Sequence, residues 1–101
     1  MTTQVKLAVN GTPIETDYFV EAFIDHVVSG MVESLENAGK IGNCKLSIEG
    51  NKVSLNLNNA PVAVNPFVSK IMKNTVTGMV SSLKGVNEIK KIDISVVADK
   101  L

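Results

Sequence analysis

The sequence predicts an α+β domain in which two helices cover one face of a mostly antiparallel sheet. Three observations predict it: an internal repeat of period 48, alternating apolar runs typical of strands, and two segments with helical apolar spacing. The simplest arrangement is a βαβ unit present twice, βαββαβ overall, as in the ferredoxin-like fold. A ββαβ unit present twice, with short hairpin arms, is the alternative.

The repeat spans most of the chain. Residues 5–48 align with residues 53–96 without a gap, and 14 of the 44 aligned positions are identical. The clearest match joins Ser29–Leu35 (SGMVESL) to Thr77–Leu83 (TGMVSSL). A tandem duplication explains this pattern, so the 101 residues are expected to form a single domain made of two repeats.

In the first repeat, the alternating run VKLAV predicts a strand that ends at Asn10-Gly11, a dipeptide typical of tight hairpin turns. Pro13 and Ile14 then begin a short return strand. Asp17 is the expected N-cap of the first helix, because its side chain can accept hydrogen bonds from first-turn N–H groups. The apolar positions of this helix are Val20, Ile24, Val27, Val28, Met31 and Leu35.

The second repeat carries the same signals 48 residues later. KVSLNL predicts a strand, Asn58-Asn59 a turn and Asn65 an N-cap, while Pro66 occupies the first helical position, where its missing N–H costs nothing. The second helix has apolar positions at Val68, Met72, Val76, Met79 and Leu83.

The segments after the helices complete each repeat. Asn37 and Gly85 occupy equivalent positions and are residue types that tolerate the left-handed turn closing a helix. CKLSIE and KIDISVV then predict strands. CKLSIE-GN-KVSLNL in the middle of the chain predicts a hairpin that joins the two halves.

Each helix carries a glycine in its middle, where glycine costs roughly 0.5 to 1 kcal/mol relative to alanine. A serine follows four residues later on the same face. We expect these small residues to permit close backbone approach between the helices, between a helix and the sheet, or between chains; a glycine merely copied by duplication is the alternative. The candidate packing or self-association residues are Gly30, Met31, Ser34, Gly78, Met79 and Ser82.

The predicted helices are longer than the predicted strands. A helix of about 20 residues spans about 30 Å, whereas a six-residue strand covers about 20 Å. One helix end should therefore extend past the sheet and expose Phe19 and Phe23, or Val32 and Leu35 at the other end. This predicts self-association, most simply as a two-fold homodimer; the alternative is a compact monomer that buries these side chains internally.

The two halves differ in charge. Residues 1–50 hold seven acidic and three basic residues, and residues 51–101 hold three acidic and seven basic ones. The charge reverses sign at equivalent positions such as 25 and 73, or 36 and 84, which predicts that the halves meet one another, as in a fused homodimer that has become asymmetric. The candidate charge-pairing residues are Asp25, Glu36, Lys73 and Lys84.

Few residues suit catalysis or metal binding. His26 is the only histidine, and its repeat equivalent is the ordinary surface residue Asn74. Cys44 aligns with Ile92, so a buried thiol packing as a small hydrophobe is expected. The chain contains no arginine to grip phosphates or carboxylates in two-point contact. We therefore predict no enzyme activity, no cofactor and no metal.

Composition also bears on location and partners. No apolar run approaches the roughly 18 residues of a membrane span, and MTTQVKL lacks signal-peptide features. A cytoplasmic protein without a membrane partner is expected. Binding of nucleic acid is a weaker alternative, because the chain has four aromatic residues and none lies on a predicted strand. Its basic patch would comprise Lys70, Lys73, Lys84, Lys90 and Lys91.

The N-P-F-V segment at 65–68 and the G-M-V-S-S-L-K-G segment at 78–85 resemble a motif of small bacterial and archaeal proteins, some of which have a single copy. The second half fits best; the first departs at Tyr18, Glu33 and Glu36. The resemblance implies no activity and favours a fused dimer. We expect a non-enzymatic binding or assembly module that self-associates. A ligand-binding protein or enzyme with a site at a chain interface, using His26, is the other alternative.

Overall fold

A computed structural model of the chain describes residues 3–34, 42–83, 86 and 88–98. Both halves have the element order ββαβ, which is the alternative with short hairpin arms, and the predicted α+β class is confirmed. The elements are β1 Thr3–Val9, β2 Thr12–Pro13, α1 Tyr18–Glu33, β3 Asn43–Glu49, β4 Lys52–Leu57, β5 Ala60–Val62, α2 Pro66–Ser81 and β6 Lys91–Ala98.

The strands form one antiparallel sheet in the order β2-β1-β6-β3-β4-β5. Its two central strands, β6 and β3, are the last strands of the two halves. Each is flanked by the first strand of the other half, because β1 pairs with β6 and β4 pairs with β3. The halves are therefore interleaved, and neither could form the four central strands alone.

The core lies between the sheet and the two helices. Alternate residues of the four long strands face the helices and are buried; Leu7, Ile94, Leu46 and Leu55 form one row of this inner face. The helices bury equivalent positions at a spacing of four residues, which are Ile24, Val28 and Val32 in α1 and Met72, Val76 and Val80 in α2. The other strand residues form a largely polar face on which the described residues place no helix.

Two equivalent asparagines tie each half to the other. Asn10 and Asn58 both have a positive φ, 54° and 51°. The Asn10 Oδ1 atom accepts from the backbone N–H groups of Lys90 and Lys91 at 2.7 and 2.9 Å. The Asn58 Oδ1 atom accepts from two equivalent N–H groups at the start of β3, at 2.6 and 3.2 Å. Each hairpin turn thus hydrogen-bonds to the backbone at the start of the other half's central strand.

The predicted N-caps are confirmed. Asp17 and Asn65 each accept a hydrogen bond at 2.8 Å from the backbone N–H three residues ahead, and Pro66 begins α2. Both helices end earlier than predicted, at 16 residues, with Ser34 and Ser82 at the C-caps. Their hydroxyls donate to carbonyls four residues back, at 2.9 and 3.2 Å, an interaction that competes with regular helix. The expected closing residues Asn37 and Gly85 lie outside the described residues. Within the described chain, neither helix has the length and hydrophobicity required to cross a bilayer.

Candidate functional site

All four aromatic side chains of the protein are exposed, and all lie on the two helices. Tyr18 is 90% exposed, Phe19 72%, Phe67 71% and Phe23 47%. Aromatic rings usually bury 150–250 Å² each and dominate cores and interfaces. A layer that presents all of them to solvent is a candidate interaction surface.

The exposed apolar residues repeat between the halves. Phe19 and Phe23 lie one helical turn apart on α1, and their rings stack with centroids 6.1 Å apart. Their equivalents on α2 are Phe67 and Ile71, which is also exposed. We call the outward surface formed by Tyr18, Phe19, Phe23, Phe67 and Ile71 the helical face. The exposure of Phe19 and Phe23 agrees with the sequence prediction. At the other end of α1, Val32 is buried, contrary to the alternative prediction, and Leu35 lies outside the described residues.

A groove of about 570 Å³ separates the helices. The first turns of α1 form one wall and the last turns of α2 form the other, so the helices run antiparallel. The aromatic end of α1 therefore lies beside the glycine end of α2. The groove is lined by Phe19, Val20, Phe23, Val27, Thr75, Gly78, Met79, Ser82 and Leu83.

The mid-helix glycines do not serve close packing inside the chain. Gly30 and Gly78 are exposed, and a Cβ added to either would meet nothing within 4 Å among the described residues. The expected close approach between helices, or between helix and sheet, is therefore wrong for this part of the chain. Met31 and Met79, by contrast, are partly buried against the core. The small residues remain available to a contact from outside.

Among the described residues of one chain, Asp25 and Lys73 do not form an ion pair with each other. Asp25 accepts a hydrogen bond from the Ser29 hydroxyl at 3.0 Å, and the Lys73 Nζ atom donates to Asn51 Oδ1 at 2.6 Å. Among the described residues, the only ion pair joins Lys91 to Asp93 at 4.0 Å. The other two candidates, Glu36 and Lys84, lie outside the described residues.

The lysines of the basic patch are only partly assembled. Lys70 and Lys73 line a cleft of about 450 Å³ together with Asn51, Ser69 and Asn74, and none of the described carboxylates lines it. Lys91 lies across from Glu49 and near Asp93, so carboxylates interrupt the patch there. Lys84 lies outside the described residues.

His26 and Cys44 are placed in different environments. His26 is exposed on α1, whereas Cys44 belongs to the buried inner face of the sheet. Burial raises the pKa of the Cys44 thiol to about 11, so it stays protonated at neutral pH. A protonated thiol is a poor nucleophile. Within the described residues, no group of histidine, cysteine and carboxylate side chains could hold a metal ion.

Comparisons of the chain with protein-family models, curated proteins and solved structures find no match. Functional inference therefore depends on the surfaces of the molecule itself. The exposure of Phe67 and Ile71 was missed from the sequence. The repeat carried the signal, because these residues align with Phe19 and Phe23.

Proposed function

We propose that the protein is a cytoplasmic, non-enzymatic assembly module that forms a homodimer through its helical face. The observation that carries the proposal is the exposure of all four aromatic side chains on the helices. Removing such apolar surface from water is the main driving force of association. A single cysteine, buried and free, suits a reducing compartment.

The dimensions of the molecule favour a second copy as the occupant. The Cα atoms span 36 by 34 by 18 Å, as expected for a broad molecule of only two layers. A stable interface buries about 800 Å² on each partner. A face of 36 by 34 Å can supply this area, and two-fold symmetry closes the assembly at two copies.

Charge favours one orientation of the two copies. Helix α1 carries Glu21, Asp25 and Glu33, whereas α2 carries Lys70 and Lys73. Packing α1 of one copy on α2 of the other brings opposite charges together, while packing α1 on α1 would oppose like charges. In this orientation the candidate pair of Asp25 with Lys73 forms between copies.

Shape favours the same orientation. If α1 crosses α2 of the second copy in antiparallel fashion, Phe19 approaches the level of Gly78, and Phe67 approaches the level of Gly30. The missing Cβ atoms leave room for the aromatic rings. Ser34 and Ser82 extend the same small-residue surface, with Met31 and Met79 at its edge.

The interleaved halves support a related proposal about origin. The chain descends from a duplicated βαβ unit of ferredoxin-like type, with hairpin arms, whose ancestor assembled from two separate copies. The equivalent asparagine contacts support this, because each half holds the other in the same way. On this account, the ancestral unit already self-associated before the two copies were fused into one chain.

Sedimentation equilibrium tests the dimer. The wild-type chain is expected to sediment as a dimer at micromolar concentration, and the double variant Phe19→Ser/Phe67→Ser as a folded monomer. Val97→Ser is the matched control, because Val97 is also an exposed apolar residue but lies on the opposite, sheet side. A monomeric wild type at about 100 μM would rule out the proposal, as would equal disruption by the control.

A further inference from the structure

The uncovered side of the sheet contains a depression of about 710 Å³. We call it the sheet-face cavity. Among its lining residues are Lys6, Lys45, Ser47, Asp93 and Ser95. This side lies opposite the helical face, so a site here does not depend on the proposed dimer. The volume falls within the range of ordinary small-molecule sites.

The strand register places opposite charges at the centre of this cavity. Lys45 lies across from Ser95, and the next row pairs Ser47 with Asp93. Diagonal neighbours of this kind are about 7–8 Å apart. A cation and a carboxylate therefore face one small area with two hydroxyls between them.

The cationic part of the cavity contains two ammonium groups. Lys6 pairs across from Ser95 on its other side, so Lys6 and Lys45 flank one serine in a single row. Neighbouring strands are about 4.8 Å apart, which puts these lysine backbones about 10 Å from each other. Neither lysine forms an ion pair with a described residue. Both ammonium groups can reach an anion held above Ser95.

A carboxylate lies in the next row of the cavity. Asp93 has only a long 4.0 Å contact with Lys91, and both side chains are more than 40% exposed. Such an exposed pair contributes little and exchanges readily. Glu15 and Glu21 also line the cavity, and Glu21 accepts a hydrogen bond from Thr16 at 2.9 Å. An anion alone would meet these carboxylates, and a cation alone would meet the two lysines.

We propose that the sheet-face cavity binds a free α-amino acid as its zwitterion. The ligand carboxylate lies between Lys6 and Lys45 and accepts from the Ser95 hydroxyl. Its ammonium group donates to the Asp93 carboxylate and the Ser47 hydroxyl. The adjacent rows keep the two charged groups of the site close together, which matches the short separation within one amino acid. A longer peptide would place its terminal charges too far apart.

Amide chemical shifts in ¹H–¹⁵N NMR spectra, recorded at fixed ionic strength, test the proposal. Each standard amino acid is titrated singly. At least one is expected to give saturable shifts at Lys45, Ser47, Asp93 and Ser95. Its N-acetyl and methyl ester forms, which each lack one charge, should bind about tenfold more weakly or worse. Free amino acids should also bind more tightly than dipeptides.

Two variants locate the binding groups. Lys45→Gln and Asp93→Asn should each weaken binding about tenfold. Lys52→Gln is the matched control, because Lys52 is on the same side of the sheet, opposite Glu49, and outside the cavity. The proposal is overturned if no amino acid gives saturable shifts at about 10 mM. It is also overturned if the N-acetyl forms or dipeptides bind as tightly as the free amino acid, or if the control weakens binding equally.

Discussion

The two halves of the molecule share a backbone plan but differ in the charges they present. Helix α1 carries Glu21 and Asp25, whereas the equivalent positions on α2 are Ser69 and Lys73. The apolar positions differ much less, since Phe19 and Phe67 are identical and both exposed. Core packing explains why buried residues are the same in both halves, but it does not explain the exposed pair Phe19 and Phe67. An outward aromatic residue retained in both halves is better explained by a contact outside the chain.

This contrast suggests that the apolar and the charged residues of the helices contribute differently to association. Apolar residues on the helical face supply association energy and can be the same in both halves. Charges contribute at most about 1 kcal/mol for each exposed pair, but they determine which helix faces which. Two halves with opposite charge favour one orientation, whereas two identical halves would leave several equal in energy.

The largest effect is expected where the halves are most alike. Asn10→Ala and Asn58→Ala each remove an acceptor shared by two backbone N–H groups and place alanine at a positive φ. Each should lower the free energy of unfolding by about 3 kcal/mol, measured by urea denaturation. Glycine at either site should cost less, because it tolerates the turn. A loss at only one of the two sites would show that the turns are not equivalent in the folded protein.

A buried core residue gives a smaller effect on stability, which depends on pH and arises in the first half only. Burial raises the pKa of the Cys44 thiol from 9.0 to about 11, while its equivalent, Ile92, cannot ionise. Below about pH 9 the thiol is protonated in both folded and unfolded states, so stability does not depend on it. Between pH 9 and 11 the unfolded chain loses this proton first, which lowers the unfolding free energy by about 2 kcal/mol.

Comparison with Cys44→Val isolates this contribution, because the variant lacks the thiol and keeps every other residue. The variant should lose less stability than the wild type between pH 8 and 11 in urea denaturation. Parallel loss of stability in the two proteins would mean that the thiol is accessible to water in the folded state.

The elements were predictable because the repeat presents every local signal twice. Asp17 and Asn65 mark both helix starts, and Asn10 marks a hairpin turn by its residue type alone. The order of strands was not predictable. All four long strands have similar apolar alternation, and the pairing of β1 with β6 joins opposite ends of the chain. Nothing local selects that pairing over another.

The candidate surface was predictable only in part. Exposure of Phe19 was expected from a long helix extending past the sheet, but both helices have only 16 residues. Phe19 is exposed because the buried stripe of Ile24, Val28 and Val32 turns it away from the sheet. Apolar residues around much of a helix do not reveal which side is buried, because that depends on where the sheet lies.

The smallest effect concerns the mid-helix glycines, where stability and association should change in opposite directions. Gly30→Ala and Gly78→Ala should each raise the free energy of unfolding of the monomer by about 0.5 to 1 kcal/mol, since the added Cβ meets no described atom within 4 Å beyond its own helix backbone and chain neighbours. Urea denaturation of the chain at dilution measures this gain. Lower stability would mean that the glycines pack against part of the chain after all.

The same variants should weaken the dimer, because the new methyl group occupies space proposed for Phe67 or Phe19 of the second copy. Val97→Ser is again the control, because Val97 is exposed on the sheet side of the molecule. Sedimentation should therefore show weaker association for Gly78→Ala and unchanged association for Val97→Ser. A Gly78→Ala dimer as tight as the wild type would place the interface elsewhere on the helical face, and would leave helix propensity as the sole consequence of the glycine.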